Sequence, residues 1–140
     1  MPYRVTPQVK DFARRLMLCE AAAATPTGTP QSAAFRVCGK LRQPLSRLAG
    51  VAGFRSLLSR ALALTHDDVR WMKAVHVTAE GYLEGLDESQ ARLSQDAIAE
   101  GEAVLIAHLI GLLVTFIGAE LTVRLVQDEW PDAAFDDLEA

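Results

Sequence analysis

The chain has 140 residues, half of them hydrophobic and only 6% aromatic, with a formal net charge of -4. That length suits one domain whose core holds without disulfides or a structural metal, and the recurrence of Ala and Leu over Val, Tyr and Thr points to a mostly α protein. Cys19 and Cys38 stand in no C-x-x-C arrangement, which argues against a zinc or redox motif and for two buried thiols. No cofactor and no metal are expected.

The charge is segregated. Residues 1–60 carry ten Lys/Arg against Asp11 and Glu20, whereas residues 61–140 carry four against sixteen acids. Arg36, Lys40, Arg42, Arg47, Arg55 and Arg60 lie in a stretch with no acid at all, a candidate interaction surface for nucleic acid or for an acidic protein. The alternative is that basic and acidic helices lie against each other, within one chain or across a dimer.

MPYRVTPQVKDFARR, residues 1–15, holds two prolines and four basic residues with no apolar run after them, so no signal peptide is read and a cytoplasmic location is expected. Over residues 9–24, Val9, Phe12, Leu16 and Cys19 fall at spacings of three and four, an amphipathic helix. TPTGTPQS, residues 25–32, reads as a connector, with Ser32 placed to cap the next helix.

Residues 33–42 alternate like a strand at Phe35, Val37 and Leu41. Ala34, Cys38, Leu41, Leu45 and Leu48 also fit a helical stripe, and that stripe continues past Pro44, so a helix is predicted with a kink or restart at the proline. Gly50 and Gly53 permit either a helix break or a close helix contact. Thr65 with Asp68 is similar to a capping box and predicts a short helix through Trp71 and Met72. Val75 and Val77 then alternate with His76 and Thr78, and Glu80-Gly81 supplies a turn, so a small β-hairpin is predicted near residues 74–84.

Asp87 with Gln90 gives a further cap signal, and Ser94 is expected to open a last helix running from about residue 95 to Trp130, where Pro131 stops it. Within it, AVLIAHLIGLLVTFIGA, residues 103–119, carries no formal charge. At about 1.5 Å per residue it falls just short of a hydrocarbon core of about 30 Å. Glu102 and Glu120 bound it, no Lys/Arg cluster flanks it and His108 interrupts it, which favours a protein core over a membrane span. Ala103, Ala107, Gly111, Thr115 and Ala119 stand four apart, a row of small side chains suited to helix packing or a dimer groove. A helix apolar on every side needs neighbours all round, so a homodimer is expected with this helix central to the core or interface. Glu120 is placed to pair with Arg124, and Leu121, Leu125 and Trp130 to continue the buried side. Residues 131–140 form an acidic tail.

His66, His76 and His108 share no metal-ligand spacing, the His66-Asp67 dipeptide is better explained by a helix cap than by a phosphohydrolase centre, and His108 reads as a satisfied core histidine. No phosphate-loop, dinucleotide or nucleophile-elbow motif occurs, so no catalytic residue is assigned and no enzymatic activity is expected. KLRQPLSRLAG, residues 40–50, resembles the H-box of histidine-kinase dimerisation domains at Leu41, Arg42, Pro44 and Leu45. Gly39 stands where the phospho-accepting histidine would, so the resemblance implies at most a dimerisation helix pair without phosphotransfer, and it does not place the chain in that family. The expected architecture is a single helical domain over residues 1–140, a helical bundle with a small hairpin. The expected role is a non-catalytic oligomerisation, adaptor or regulatory module that binds another protein. Nucleic-acid binding through residues 36–60, with Phe35 or Phe54 stacking on a base, and membrane association through residues 103–119 are the alternatives.

Overall fold

Thr6 starts the first helix by accepting a hydrogen bond on its hydroxyl from the Val9 amide at 3.2 Å, and Pro7 occupies the first helical position, where its missing N–H costs nothing. The computed structural model describes residues 6–23, 33–85 and 93–131. Helix α1 spans Pro7–Ala23, α2 Ala33–Asp68, α3 Gln95–Ile117 and α4 Ala119–Glu129; a 3-10 turn covers Arg70–Ala74, and strands β1, His76–Val77, and β2, Leu83–Glu84, form the hairpin. The molecule is mostly helical, as predicted. The expected connector at 25–32, its cap at Ser32, the cap signal at Asp87 and residues 132–140 lie outside the described residues.

Val9, Phe12 and Leu16 of α1 are buried as their spacing required, joined by Ala13, while Cys19 is only half-buried. Residues 33–42 are helical. Ala34, Cys38, Leu41 and Leu45 line the core together with Val37, but Leu48 leaves the stripe and is exposed. The backbone stays helical through Pro44; the non-helical backbone is at Gly50, six residues on, with φ 80° and ψ 162°. That combination belongs to a region of backbone space that is essentially restricted to glycine, so the break falls where the chain permits it.

Thr65 does not open a helix. It sits inside α2, where its hydroxyl donates to the Ala61 carbonyl at 2.7 Å, a bond that threonine makes readily four residues back. His66 and Asp68 therefore lie in the last turn of α2 rather than at a helix start. The following 3-10 turn tucks Met72 into the core and lays the Trp71 ring on Gly101 of α3, where an added Cβ would collide with Cζ2.

The hairpin is antiparallel, pairing His76 with Glu84 and Val77 with Leu83. Two strands of this length are marginal alone, and they rest on α2. Arg42 donates from Nε to the Glu80 carbonyl at 2.8 Å with its guanidinium 4.9 Å from the Tyr82 ring centre, and Phe35 stacks on the same ring at 6.4 Å.

Ser94 caps α3 as expected, accepting from the Ala97 amide at 3.2 Å. Every residue from Leu105 to Leu113 is buried. The helix packs most extensively on α2, next on α1, and then on α4, so these segments of the same chain supply the neighbours that its apolar surface needs. Asp96–Ile117 is the one helix among the described residues long and apolar enough to cross a membrane, with a mean hydropathy of 1.8, and 61% of that window is buried inside the protein.

The single long C-terminal helix predicted from the sequence is in fact two. Gly118, at φ 92° and ψ 158°, breaks it; its carbonyl then accepts the Thr122 amide and hydroxyl, at 3.1 and 2.8 Å, to start α4. The small-residue row is cut accordingly. Ala107 and Gly111 are buried and Ala103 half-buried, Thr115 is exposed, and Ala119 belongs to the next helix. The buried side of α4 is Ala119, Thr122, Val126 and then Trp130, whereas Leu121 is exposed, since the break rotates the register that a continuous helix would have kept.

Candidate interaction surface

Two polar clusters sit inside the fold, and both are built from partners distant in sequence. Glu20, near the end of α1, is buried. Its carboxylate accepts from Lys40 Nζ at 2.8 Å and from Trp130 Nε1 at 3.0 Å, and Arg36 Nε lies 3.5 Å away. Lys40 also stands 5.4 Å above the Trp130 ring centre, a cation-π distance. One acid thus binds α1, α2 and the end of α4 together. The second cluster is the buried His108, whose Nε2 meets Asp68 Oδ2 at 3.0 Å and ties the middle of α3 to the end of α2. His108 is buried among apolar neighbours, and its Nε2 has Asp68 as its acidic partner. His66 bonds the Val75 carbonyl at 3.2 Å, and no group of three metal-ligating side chains occurs among the described residues.

The basic segment is divided by these contacts. Arg36 and Lys40 serve Glu20, and Arg42 holds the hairpin. Phe54 is fully buried, with an added Cβ at Gly81 standing 3.2 Å from its ring, and Phe35 is engaged by Tyr82, so neither phenylalanine is free to stack on a base. Arg47, Arg55 and Arg60 remain exposed, and among the described residues no ion pair joins them.

Arg47 and Arg55 flank the Gly50 break. Between them Leu48 is 50% and Val51 42% exposed, and Val51 and Arg55, four apart in the second half of α2, share a face. Arg60 is five residues past Arg55, about 140° round the helix, and falls outside this patch. In chain order an exposed aliphatic pair thus stands between two cations around the Gly50 break, and the Arg55 stem also lies on the hairpin, where a Cβ added at Gly81 would be 3.5 Å from its Cγ. Sequence reasoning assigned the cations but treated Leu48 as core and did not consider Val51; the available signal was Gly50, where the helical stripe loses its register.

Of the row proposed for helix packing or a dimer groove, Ala107 and Gly111 are covered within the chain. At the α3–α4 bend, Ile117, Gly118, Ala119, Glu120, Leu121 and Arg124 line an open depression of about 350 Å³. Its two ionisable groups, Glu120 and Arg124, pair with each other at 3.7 Å on the exposed side of α4, so the depression presents no convergent polar groups for a small ligand.

Burial also sets the chemistry of Cys38. Its thiol is pushed up from the ordinary 9.0 to about 12, first by burial and then by the charge of Glu102. A thiol held protonated in this way is a poor nucleophile. Compared with known proteins, the chain matches no family model, no curated protein and no solved structure.

Proposed function

We propose that the protein is a non-catalytic helical module that binds an acidic, partly apolar segment of another protein through Arg47, Leu48, Val51 and Arg55. The observation that carries this reading is the exposed bend at Gly50, where two arginines without an ionic partner among the described residues bracket two uncovered aliphatic side chains. Aliphatic contact at the centre with charge at the rim is the usual anatomy of a protein interface.

A nucleic-acid role has less support. Three of the six basic residues are engaged inside the fold, and three remaining phosphate contacts give a salt slope of only about 3 in log affinity against log salt. Membrane insertion has less support as well, since α3 is largely enclosed by its own chain. The packing argument for a homodimer also weakens, because one chain covers Leu105 to Leu113.

The test is binding of a fluorescein-labelled amphipathic peptide of Glu and Leu to the wild-type chain and to the double variant Arg47→Glu/Arg55→Glu. Binding should weaken at least about tenfold in the variant, with a smaller loss for Leu48→Ser, and a single-stranded oligonucleotide should not bind. Equal peptide affinity in wild type and variant, or tight oligonucleotide binding, would overturn the reading.

A further inference from the structure

We propose that the β1–β2 hairpin is a strap across the bend of α2. Its tip holds the two halves of that helix at their angle, and lifting the tip off the first half lets the second half swing about Gly50. The device is independent of the binding role proposed above.

The tip touches α2 on both sides of the break. From the first half, Arg42 Nε donates to the Glu80 carbonyl at 2.8 Å, the Arg42 guanidinium stands 4.9 Å from the Tyr82 ring centre, and Phe35 stacks on the same ring at 6.4 Å. From the second half, the Phe54 ring and the Arg55 stem lie against Gly81, where an added Cβ would be 3.2 Å from Phe54 Cδ2 and 3.5 Å from Arg55 Cγ. Phe35 and Phe54 are 19 residues apart, about 28 Å along a continuous helix, yet they meet consecutive hairpin residues whose Cα atoms are about 3.8 Å apart. A continuous helix would also point Arg42 and Arg55 about 140° away from each other. One tip reaches both halves only because α2 breaks at Gly50.

The tip moves as a unit. Its turn is closed by the Gly81 amide on the Thr78 carbonyl at 3.0 Å, the Thr78 amide on the Tyr82 carbonyl at 2.7 Å and the Tyr82 amide on Thr78 Oγ1 at 3.1 Å. Its two attachments differ in strength. Phe54 is fully buried, whereas Tyr82 is 42% exposed and the Arg42 bond faces solvent, and contacts open to water are the ones that release first. The hairpin therefore stays with the second half of α2 and parts from the first. Gly50 suits the pivot, because it is exposed and nothing lies within 4 Å of where its Cβ would be. The swing is short, since Leu58, Ala61 and Leu62 anchor the second half in the core.

The test is the distance between nitroxide labels on Gln43→Cys and Ser59→Cys, two exposed positions on the two halves of α2, read by double electron–electron resonance. The full chain carries Cys19→Ser, and its remaining Cys38 is buried. With the strap intact the distance distribution should be narrow. In Arg42→Ala/Tyr82→Ala it should broaden, with its mean displaced by about 2 Å or more, while Tyr82→Phe, which keeps the ring, should match the strapped form. Gly118→Ala, strained at the break between α3 and α4, is the control for general loosening. An unchanged distribution in the double variant, or the same broadening in Gly118→Ala, would overturn the inference. Should the double variant not fold, Arg42→Gln alone carries the test: it removes the Nε bond and the cation and should broaden the distribution to a lesser extent, and an unchanged distribution there overturns the strap equally.

Discussion

Replacing Glu20 with alanine removes the acceptor of the Lys40 and Trp130 hydrogen bonds and the ionic partner of Arg36, and the structure sets the size of the effect. The Glu20 side chain is 3% exposed, Lys40 41% and Arg36 26%, so the two cations regain water when the acid is lost, and each ion pair is worth at most about 1 kcal/mol. Trp130 is buried. Its N–H, left without a partner, costs about 1–3 kcal/mol, and Glu20→Ala should therefore destabilise the fold by about 2–4 kcal/mol. Glu20→Gln keeps a carbonyl oxygen for the indole and loses only the charge, so about 1 kcal/mol is expected. Urea unfolding followed by far-ultraviolet circular dichroism reads both values. In a double-mutant cycle, Glu20→Ala and Trp130→Phe should couple by about 1 kcal/mol or more, because they remove the same hydrogen bond. Equal losses for Ala and Gln, or no coupling with Trp130, would refute the assignment of the indole bond as the dominant part.

Gly101→Ala should destabilise by about 1–3 kcal/mol, because its Cβ would collide with Trp71 Cζ2; thermal melts check it, and Trp71→Leu should relieve much of the loss. In the native protein a disulfide reagent at pH 8 should modify half-buried Cys19 and spare Cys38, whose thiolate fraction at a pKa of about 12 is about one in ten thousand. Because folding raises that pKa from 9.0, the stability linked to Cys38 is fully present below pH 9 and is lost as pH rises towards 12; a Cys38→Ala variant should lack this decline. Gly50→Ala and Gly118→Ala should each cost about 1–3 kcal/mol of backbone strain, since neither added Cβ meets an atom within 4 Å, but only Gly50→Ala should also weaken binding of the acidic peptide.

Local periodicity carried much of the fold. Val9, Phe12 and Leu16, the stripe from Ala34 to Leu45, the Ser94 cap and the hairpin turn at Glu80-Gly81 are each decided by neighbours within a few residues, and the structure reproduces them. Two errors came from signals with two meanings. Thr65 followed by Asp68 has the pattern of a helix start, yet threonine inside a helix satisfies its hydroxyl on the carbonyl four back. Gly118 lies in an apolar run whose other members favour helix, and the glycine itself, at φ 92° and ψ 158°, was the local mark of the break. The polar clusters were illegible for a different reason: Glu20 meets Trp130 across 110 positions and His108 meets Asp68 across 40. A single sequence records neither pairing, although the isolation of Glu20 in a basic half was itself a hint. The interaction surface was half legible, since its charge was visible while the exposure of Leu48 and Val51 depends on where α2 bends.

That bend ties the energetics to the proposed binding. The backbone of Gly50 leaves the helical region for φ 80° and ψ 162°, so holding it there must be offset by something a straight helix forgoes. Part of the compensation is visible downstream. Phe54, Leu58, Ala61 and Leu62 are buried, and the second half of α2 keeps this stripe against the core only if its register is reset relative to the stripe that ends at Leu45. The reset has a consequence at the join. Leu48, three residues past Leu45, and Val51, three before Phe54, are the last and first members of the two stripes, and beside the break both are exposed. Leaving them there forgoes about 25 cal/mol for each Å² of apolar surface. Gly50→Ala is therefore the substitution that separates packing from binding. Its strain acts on the whole fold, whereas its displacement of Leu48 relative to Val51 acts only on what docks there.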